Sequence, residues 1–178
     1  MMSSLLIRPL TVEDLGEVAT IEKLSFPSPW PSSAYATELT TNRLARYIGA
    51  WSSGDLVGFG GLWLMVDEAH ITTMAVHPTQ RRRGVGSALL LELLQESRRG
   101  GARVATLDVR VSNLAAQRMY ASFGFAEAGR RIRYYDDNGE DALVMTTPEL
   151  ESSEQLAREA AVRLHVHNRS DGGLQTHA

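Results

Sequence analysis

The amino-acid sequence predicts a single α/β domain, and three observations support this fold class. Along residues 5–148, segments in which hydrophobic and polar residues alternate, as in strands, are interspersed with segments that have the hydrophobic periodicity of helices. A length of 178 residues with 43% hydrophobic residues is sufficient for one domain with a sizeable core. Over residues 69–97, a strand that ends at a proline is followed by a glycine turn and a leucine-rich helix. This strand–turn–helix unit is typical of α/β proteins.

The N-terminal half is predicted to contain two helices and three strands. Thr11 with Asp14 three residues later forms a weak capping box before a helix that runs to about Leu24. A proline-fixed loop over 26–31 precedes a short helix from Ser32 or Ser33 to about Leu39. The predicted strands are 5–8, 46–51 and 56–65, the last two joined as a hairpin by the turn 52–55.

The C-terminal half continues with a strand over 69–76 and a leucine-rich helix that ends at Gly100-Gly101. A strand over 104–111, a helix over 113–122 and a hairpin of 125–135 and 142–147 complete the predicted domain, residues 1–148. Residues 149–178 are predicted to be a tail. Ser152-x-x-Gln155 is a capping-box pattern that favours a helix over 153–164, and the polar sequence after it favours disorder.

The turn before the leucine-rich helix is predicted to bind an anion. Gly84 and Gly86 allow a sharp turn that exposes consecutive amides at the positive end of the helix dipole. The three arginines Arg81, Arg82 and Arg83 add positive charge and bidentate donors. A pyrophosphate group fits this combination best.

This turn has three other interpretations, namely a P-loop, a dinucleotide-binding turn and a solvated turn. A P-loop needs Gly-x-x-x-x-Gly-Lys-Ser/Thr, and Lys23 is the only lysine of the chain. A dinucleotide site would use Gly84-x-Gly86 and Asp108, which lies 22 residues after Gly86, but Leu89 stands at the third glycine position. A solvated turn with a charged rim stays open on the turn alone.

The pattern Arg81-x-x-Gly84-x-Gly86 resembles the acyl-coenzyme A signature of the GCN-five-related N-acetyltransferases (GNAT), which cradles the coenzyme A pyrophosphate. The order of residues 107–113, 115–120 and 123–125 resembles the second half of that family's cofactor site. The loop 26–30, Tyr134-Tyr135 and residues 139–142 resemble the RimI branch, which acetylates the N-terminal alanine of a ribosomal protein. The resemblance covers residues 5–148. It implies a mixed, mostly antiparallel sheet that is splayed at its middle strands and flanked by helices.

The resemblance also implies that acetyl-CoA is the co-substrate and that Tyr120 is the acid that protonates the leaving thiolate. A packed helix tyrosine is the structural alternative for Tyr120. An amide of the strand 74–76 is the implied oxyanion donor, and Asn113 contacts coenzyme A in addition to a helix N-cap role. The expected cofactor-binding residues are Met74, Ala75, Val76, Arg81, Arg82, Arg83, Gly84, Val85, Gly86, Ser87 and Asn113.

The general base is predicted to be a carboxylate. The position that matches the catalytic glutamate of the RimI branch is Asp108, one methylene shorter, and Glu68 at the head of the central strand is the alternative. A water molecule can bridge either acid to the amine. The non-catalytic interpretation of Asp108 is a strand-end carboxylate paired with Arg110.

The residue inventory favours direct attack of an amine within a ternary complex. The chain has no cysteine and no Gly-x-Ser-x-Gly elbow, so neither usual acyl-enzyme nucleophile is present. At neutral pH the neutral form of an α-amine of pKa 7.7–8.0 is about 300-fold more populated than that of a lysine of pKa 10.4. The α-amine is thus about 3.4 kcal/mol easier to deprotonate. A weak, water-relayed carboxylate therefore suits a protein N-terminus better than a lysine side chain.

Composition and motifs limit the partners. A net charge of −3 argues against nucleic-acid binding, and the absence of a long apolar run or a signal-peptide pattern favours a cytoplasmic protein away from membranes. His165-x-His167 lacks a third ligand, so no metal is expected. The expected partner is the N-terminus of a ribosomal protein, attracted by Glu68, Asp67 and Asp141. The alternatives are acetylation of a small amine and a catalytically silent acyl-CoA-binding module.

Overall fold

The computed structural model describes residues 5–171, which form a seven-stranded sheet with helices on both faces. The strands are β1 (Leu6–Pro9), β2 (Ala45–Ser52), β3 (Asp55–Met65), β4 (Glu68–Val76), β5 (Val104–Arg110), β6 (Ala126–Arg131) and β7 (Ala142–Thr146). The helices are α1 (Leu15–Ser25), α2 (Ser32–Thr40), α3 (Val85–Arg99), α4 (Leu114–Ser122) and α5 (Ser153–Asp171). In this part of the chain, no helix has the length and apolar character needed to cross a bilayer.

The sheet opens between its two middle strands. The strand order is β1-β2-β3-β4-β5-β7-β6, and β4 pairs in parallel with β5 from Glu68–Ile71 against Val104–Leu107. Beyond this point β4 pairs with β3, while β5 continues beside β7. The register of β3 and β4 shifts where the separation begins, and such a bulge increases the local twist. The predicted mixed, mostly antiparallel sheet that is splayed at its middle strands is confirmed.

Each face of the sheet carries its own core. Ala69, Ile71 and Leu107 belong to the larger core, which packs against α3. The opposite face packs against α1 and α2 through an aromatic cluster in which the Tyr35 ring lies 5.6 Å from that of Phe59. Because strand side chains alternate between faces, the even-numbered residues of β4 and β5 before the bulge point to the α1–α2 side. We call this side of the sheet the acceptor face.

Every predicted helix and strand is present, and their ends shift by one or two residues except at the start of α1, which follows a 3₁₀ turn over Val12–Asp14, and in two further places. The strand predicted over 125–135 ends at Arg131. Arg133 adopts a φ of 51°, and its N–H donates a hydrogen bond of 2.9 Å to Asp141 Oδ1. These two features turn the chain out of the strand, so residues 132–135 belong to the loop that connects β6 to β7.

The second difference is the length of α5. The helix continues to Asp171, beyond the predicted end at Leu164, because no proline or glycine occurs before Gly172. Leu150 and Gln155 are fully buried against the larger core, so the first part of the tail packs on the domain. Residues 172–178, which include the rest of the predicted disorder, lie outside the described residues.

Candidate active site

The glycine turn presents backbone amides at the start of α3. Gly84 has a φ of 83°, a left-handed conformation that favours glycine. Its carbonyl accepts the first helical hydrogen bond, from the Ala88 N–H at 2.9 Å. The N–H groups of Val85, Gly86 and Ser87 precede that bond and have no carbonyl within the helix to meet. These N–H groups lie at the N-terminus of α3, which is the positive end of the helix dipole, and such an arrangement favours the binding of an anion.

Gly86 keeps a cleft open beside this turn. A Cβ atom at Gly86 would lie 3.4 Å from Met119 Sδ and 3.7 Å from Val76 Cγ2. The missing side chain therefore lies between the end of β4 and α4, where a Cβ would begin to fill the space. Val85 is buried, so this residue offers only its backbone to a ligand. The turn and the cleft fit the pyrophosphate and the attached chain of a coenzyme A.

The three arginines of the turn do not have the same surroundings. Arg81 donates from Nε to the Val76 carbonyl at 3.0 Å, and its NH2 group lies 3.4 Å from Ser25 Oγ. Arg81 is exposed, but these contacts fasten the turn to the end of β4. Arg82 and Arg83 are exposed beside the turn, where an anion can meet them.

The end of β4 faces the opening in the sheet. Residues Met74, Ala75 and Val76 pair with β3 on one side, and their pairing with β5 has already ended. Backbone polar groups on that edge consequently have no strand partner. An amide here can stabilise the oxyanion that forms when a thioester is attacked. Asn113 caps α4 by accepting a hydrogen bond from the Ala116 N–H at 3.2 Å, as its N-cap interpretation predicts.

Tyr120 lies on α4 and is half-buried. Its ring packs 5.8 Å from the ring of Phe125. Burial, followed by the nearby Tyr135, raises the pKa of the Tyr120 hydroxyl to about 12. The hydroxyl is therefore protonated at neutral pH and suited to donate a proton.

Asp108 is held by an ion pair, but its partner is not the predicted one. Arg131 donates from Nε to Asp108 Oδ1 at 3.0 Å, and the aspartate side chain is 8% exposed. The pairing with Arg110, which is the non-catalytic interpretation of Asp108, is absent because Arg110 instead binds the loop carboxylates of Asp137 and Glu140. The other Asp108 oxygen, Oδ2, lies 3.7 Å from Nε2 of His70.

A chain of polar groups connects the two candidate bases across β4 and β5. The Thr106 hydroxyl donates to Glu68 Oε1 at 2.9 Å, and His70 Nδ1 lies 3.0 Å from the same hydroxyl oxygen. The strand register places His70 directly beside Thr106. Glu68 and Asp108 are thus linked through His70, a residue that was not predicted from the sequence. The signal for His70 is its position two residues after Glu68, which puts both on the acceptor face.

The loop 132–141 folds over the end of β5. Arg110 stacks on Tyr135, with Cζ 3.8 Å from the ring centroid, and its NH2 group contacts both Asp137 oxygens at 2.9 and 3.0 Å. Glu140 accepts the Ser112 N–H at 2.8 Å, and its contacts with Ser112 lower the pKa of the Glu140 carboxyl to about 2. These contacts hold the loop beside Asp108.

Tyr134, in the same loop, lies close to the candidate base. Burial raises the pKa of Tyr134, and the neighbouring Asp108 carboxylate raises it further. Its ring lies 5.2 Å from that of Tyr135. The predicted tyrosine pair therefore belongs to the wall of the acceptor face near Asp108.

The acidic residues near this face fall into two groups. Asp67 lies 3.6 Å from Arg103 and Asp141 lies 3.7 Å from Arg130, so each of these two predicted attractors has a cation beside it. Three other carboxylates have only neutral hydrogen-bond donors among the described residues. They are Glu22, bonded by Trp30 N–H and the Tyr35 hydroxyl, Glu38, bonded by Tyr47, Trp63 and Asn42, and Glu68, bonded by Thr106.

Comparison with known proteins identifies the family. The chain matches the model of the acetyltransferase (GNAT) family over residues 15–125. A Mycobacterium tuberculosis protein named N-alpha-acetyltransferase RimI is 39% identical over 145 residues, which cover 78% of this chain and 89% of the relative. The ribosomal protein bS18-alanine N-acetyltransferase of Escherichia coli is 35% identical over 146 residues, which cover 80% of this chain and 96% of the relative.

A solved structure agrees with these relatives. The crystal structure of the ribosomal-protein-S18-alanine N-acetyltransferase from Escherichia coli superposes with a TM-score of 0.76 at 32% identity, covering 85% of this chain and 97% of that chain. The family model matches more than half of the chain, and both relatives are aligned over most of their length. This protein therefore belongs to the acetyltransferase (GNAT) family.

Proposed function

We propose that this protein transfers an acetyl group from acetyl-CoA to the α-amine of an N-terminal alanine, and that its substrate is ribosomal protein bS18. The observation that carries the proposal is the opening between β4 and β5. It lies between a turn of free amides at the start of α3 and a group of carboxylates on the acceptor face. A thioester that enters from one side meets an amine that enters from the other.

The residues around the turn fit the binding of coenzyme A. The amides of Val85, Gly86 and Ser87 hold the pyrophosphate, with Arg82 and Arg83 beside them. Acetyl-CoA supplies the acetyl group as an activated thioester. The side chain of Asn113 lies at the start of α4, on the other side of the same cleft.

The residues around the opening in the sheet perform the proton transfers. A backbone amide among Met74, Ala75 and Val76 stabilises the oxyanion. Tyr120, whose raised pKa keeps it protonated, donates a proton to the departing sulfur. Asp108 and Glu68 lie where the amine must lose its proton. The amine attacks directly, since the chain has no cysteine to form a thioester intermediate.

The relatives and the charge of the acceptor face support the choice of substrate. The Escherichia coli relative is named for the alanine of ribosomal protein bS18 and is aligned over 96% of its length. Three carboxylates favour a cationic amine on this face, namely Glu22, Glu38 and Glu68. Among the described residues, their hydrogen-bond donors are all neutral, so their charge is not compensated by a cation. A ribosomal substrate implies that the enzyme acts in the cytoplasm. We further propose that residues 1–148 are the catalytic domain and residues 149–178 an appended segment.

Mass spectrometry of acetylated peptides tests this function. The full-length protein is incubated with acetyl-CoA and two peptides of the bS18 N-terminal sequence, one with a free α-amine and one with that amine blocked. We expect one acetyl group on the α-amine of the first peptide and none on the lysines of the second. Faster acetylation of lysine, or rapid turnover of a small amine without turnover of the peptide, would reject this substrate and leave the family assignment intact.

A further inference from the structure

We propose that the proton of the acceptor amine is taken by Nε2 of His70, and that Asp108 and Glu68 act on the reaction through this imidazole. This inference rests on the proposed function, because it concerns the amine that the enzyme acetylates. It changes the role of both predicted bases from proton acceptors to positioning residues. Two hydrogen bonds on the acceptor face determine which nitrogen of His70 carries the proton.

The direction of each hydrogen bond is fixed by the carboxylate at the end of the chain. An ionised Glu68 can only accept, so the Thr106 hydroxyl donates its proton to Glu68 Oε1, at 2.9 Å. The Thr106 oxygen is then free only to accept, and its remaining neighbour is His70 Nδ1, at 3.0 Å. His70 must therefore carry its proton on Nδ1. In the neutral imidazole this leaves a lone pair on Nε2.

The lone pair of His70 Nε2 lies on the acceptor face, beside the carboxylate of Asp108. Asp108 Oδ2 lies 3.7 Å from Nε2, too far for a direct hydrogen bond. A neutral His70 offers no proton to fill this gap, because both facing atoms are acceptors. A proton that arrives at Nε2 produces an imidazolium with Asp108 beside it and Glu68 behind Thr106.

Asp108 itself is poorly placed to accept the proton. Its Oδ1 atom already accepts from Arg131 Nε at 3.0 Å, and Tyr134 lies close to the same carboxylate. Its Oδ1 atom is therefore occupied and turned away from an incoming amine. His70, with 21% of its side chain exposed, is more accessible than Asp108, with 8%. Nε2 is thus the basic atom of the cluster that an amine or a bridging water can reach.

The reaction balances with this assignment. The acceptor ammonium first loses one proton to solvent at neutral pH, or to Nε2, which then releases it to solvent before the attack. The neutral nitrogen then forms the N–C bond as the C–S bond breaks, and the sulfur takes the proton of the Tyr120 hydroxyl. The second proton of the nitrogen passes to His70 Nε2, directly or through one water, and then to solvent, which also reprotonates Tyr120. No oxidant, reductant or metal is required.

Nitrogen NMR of the free enzyme tests the hydrogen-bond chain without any turnover. We expect the His70 resonances, assigned by their loss in His70→Ala, to show that the neutral form of the ring carries its proton on Nδ1. Thr106→Val should remove the preference for the Nδ1-protonated tautomer, while Thr106→Ser should retain it. Thr146→Val is the matched control, since Thr146 faces Thr106 in β7 and its hydroxyl takes no part in the chain. A ring protonated on Nε2 in the wild type would contradict the proposal.

Kinetics with chemical rescue test the proton acceptor. We expect His70→Ala to lower kcat by about 10²–10⁴-fold, the usual contribution of a general base, with acetyl-CoA affinity within about twofold of wild type. Added imidazole should raise the rate of this variant at least tenfold and leave the wild type unchanged. A kcat within threefold of wild type, or a loss that imidazole does not reduce, would overturn the role of His70.

The wild-type reaction separates this proposal from the proposed function. If the wild type does not acetylate the bS18 peptide, the substrate is wrong, and the His70 comparison is made on the amine that it does acetylate. The variant-to-wild-type ratio then still supports or overturns the role of His70. The NMR result is independent of both, because it needs no acceptor.

Discussion

Arg131 and Asp108 form an ion pair that spans β7: the arginine Nε lies 3.0 Å from Oδ1, although β6 and β5 are not neighbours in the sheet. The pair holds the carboxylate with Oδ2 turned toward His70, at 3.7 Å. The candidate base is therefore fixed by a residue from a distant strand. Because Asp108 lies beside His70 while Glu68 contacts it only through Thr106, we expect the two carboxylates to contribute unequally to activity.

We predict a larger loss of activity for Asp108→Asn than for Glu68→Gln. Asp108 lies beside His70, so we expect kcat to fall by about 10²-fold or more. Glu68 acts through Thr106, and glutamine keeps an oxygen that can accept the threonine hydroxyl, so we expect about tenfold. Steady-state kinetics of the two variants, with melting temperatures as the control for folding, measure the difference. A larger loss at Glu68 would contradict this order.

Tyr120→Phe should remove activity without removing stability. The ring keeps its contact with Phe125, whose centroid is 5.8 Å away, so we expect the melting temperature to change little. The lost proton donor should lower kcat by about 10²–10⁴-fold. Single-turnover measurements isolate the chemical step. An unchanged rate in that step would make Tyr120 a packing residue only.

Gly84→Asp should weaken acetyl-CoA binding by well over tenfold, more than about 1.4 kcal/mol. The substitution puts a negative charge beside the pyrophosphate site and strains a backbone with a φ of 83°. Gly54→Asp is the matched control. Gly54 has a φ of 93° in the β2–β3 turn with nothing within 4 Å of a Cβ, so it is equally strained but remote from the site. Calorimetry should show wild-type affinity for the control, and equal losses in the two variants would contradict the role of Gly84.

Glu159→Ala should destabilise the fold by about 3 kcal/mol, because it leaves a largely buried arginine without its partner. Glu159 is 4% exposed and pairs with Arg98, which also donates to the Leu150 carbonyl at 3.0 and 3.2 Å. Glu154→Ala on the same helix removes an exposed pair with Arg158 and should change stability by less than about 0.5 kcal/mol. Urea unfolding compares them. Equal effects would mean that α5 contributes little through this contact.

Asp14→Asn should show a pH-dependent loss of stability. The hydrogen bond from Arg8 lowers the pKa of the buried Asp14 carboxyl, so the ionised form stabilises the folded state. This stabilisation is present above the unfolded pKa of about 3.9 and is lost as pH falls through the lower folded pKa. We expect a difference of about 2 kcal/mol at pH 7 that shrinks below about pH 4. Glu13→Gln, exposed and adjacent, is the control, and a pH-independent difference would contradict the assignment.

The order of helices and strands was predictable because it depends on local periodicity and on strong punctuation. Pro78 ends β4, Gly84 and Gly86 shape the turn, and Gly100 ends α3. The splayed sheet followed from the resemblance carried by that same turn. Local patterns also predicted the Asn113 cap, whose hydrogen bond needs only a residue three positions away.

The partners of the site residues were not predictable, since they depend on the register of distant strands. Arg131 reaches Asp108 only because β7 lies between β5 and β6. His70 meets Thr106 only because β4 and β5 pair in parallel at that position. Sequence spacing carries no information about these contacts.

The position of β7 has a consequence for the order in which the enzyme is completed during its synthesis. The strand that carries Arg131 leaves the ribosome before β7, yet β6 joins the sheet only through β7. A nascent chain that stops before residue 142 can contain the whole cofactor turn while Asp108 still lacks its arginine. The pairing of β7 with β5 joins strands that are separated in sequence by α4 and β6, and long-range contacts of this kind slow folding. The turn that holds the thioester is therefore complete before the carboxylate beside His70 is fixed.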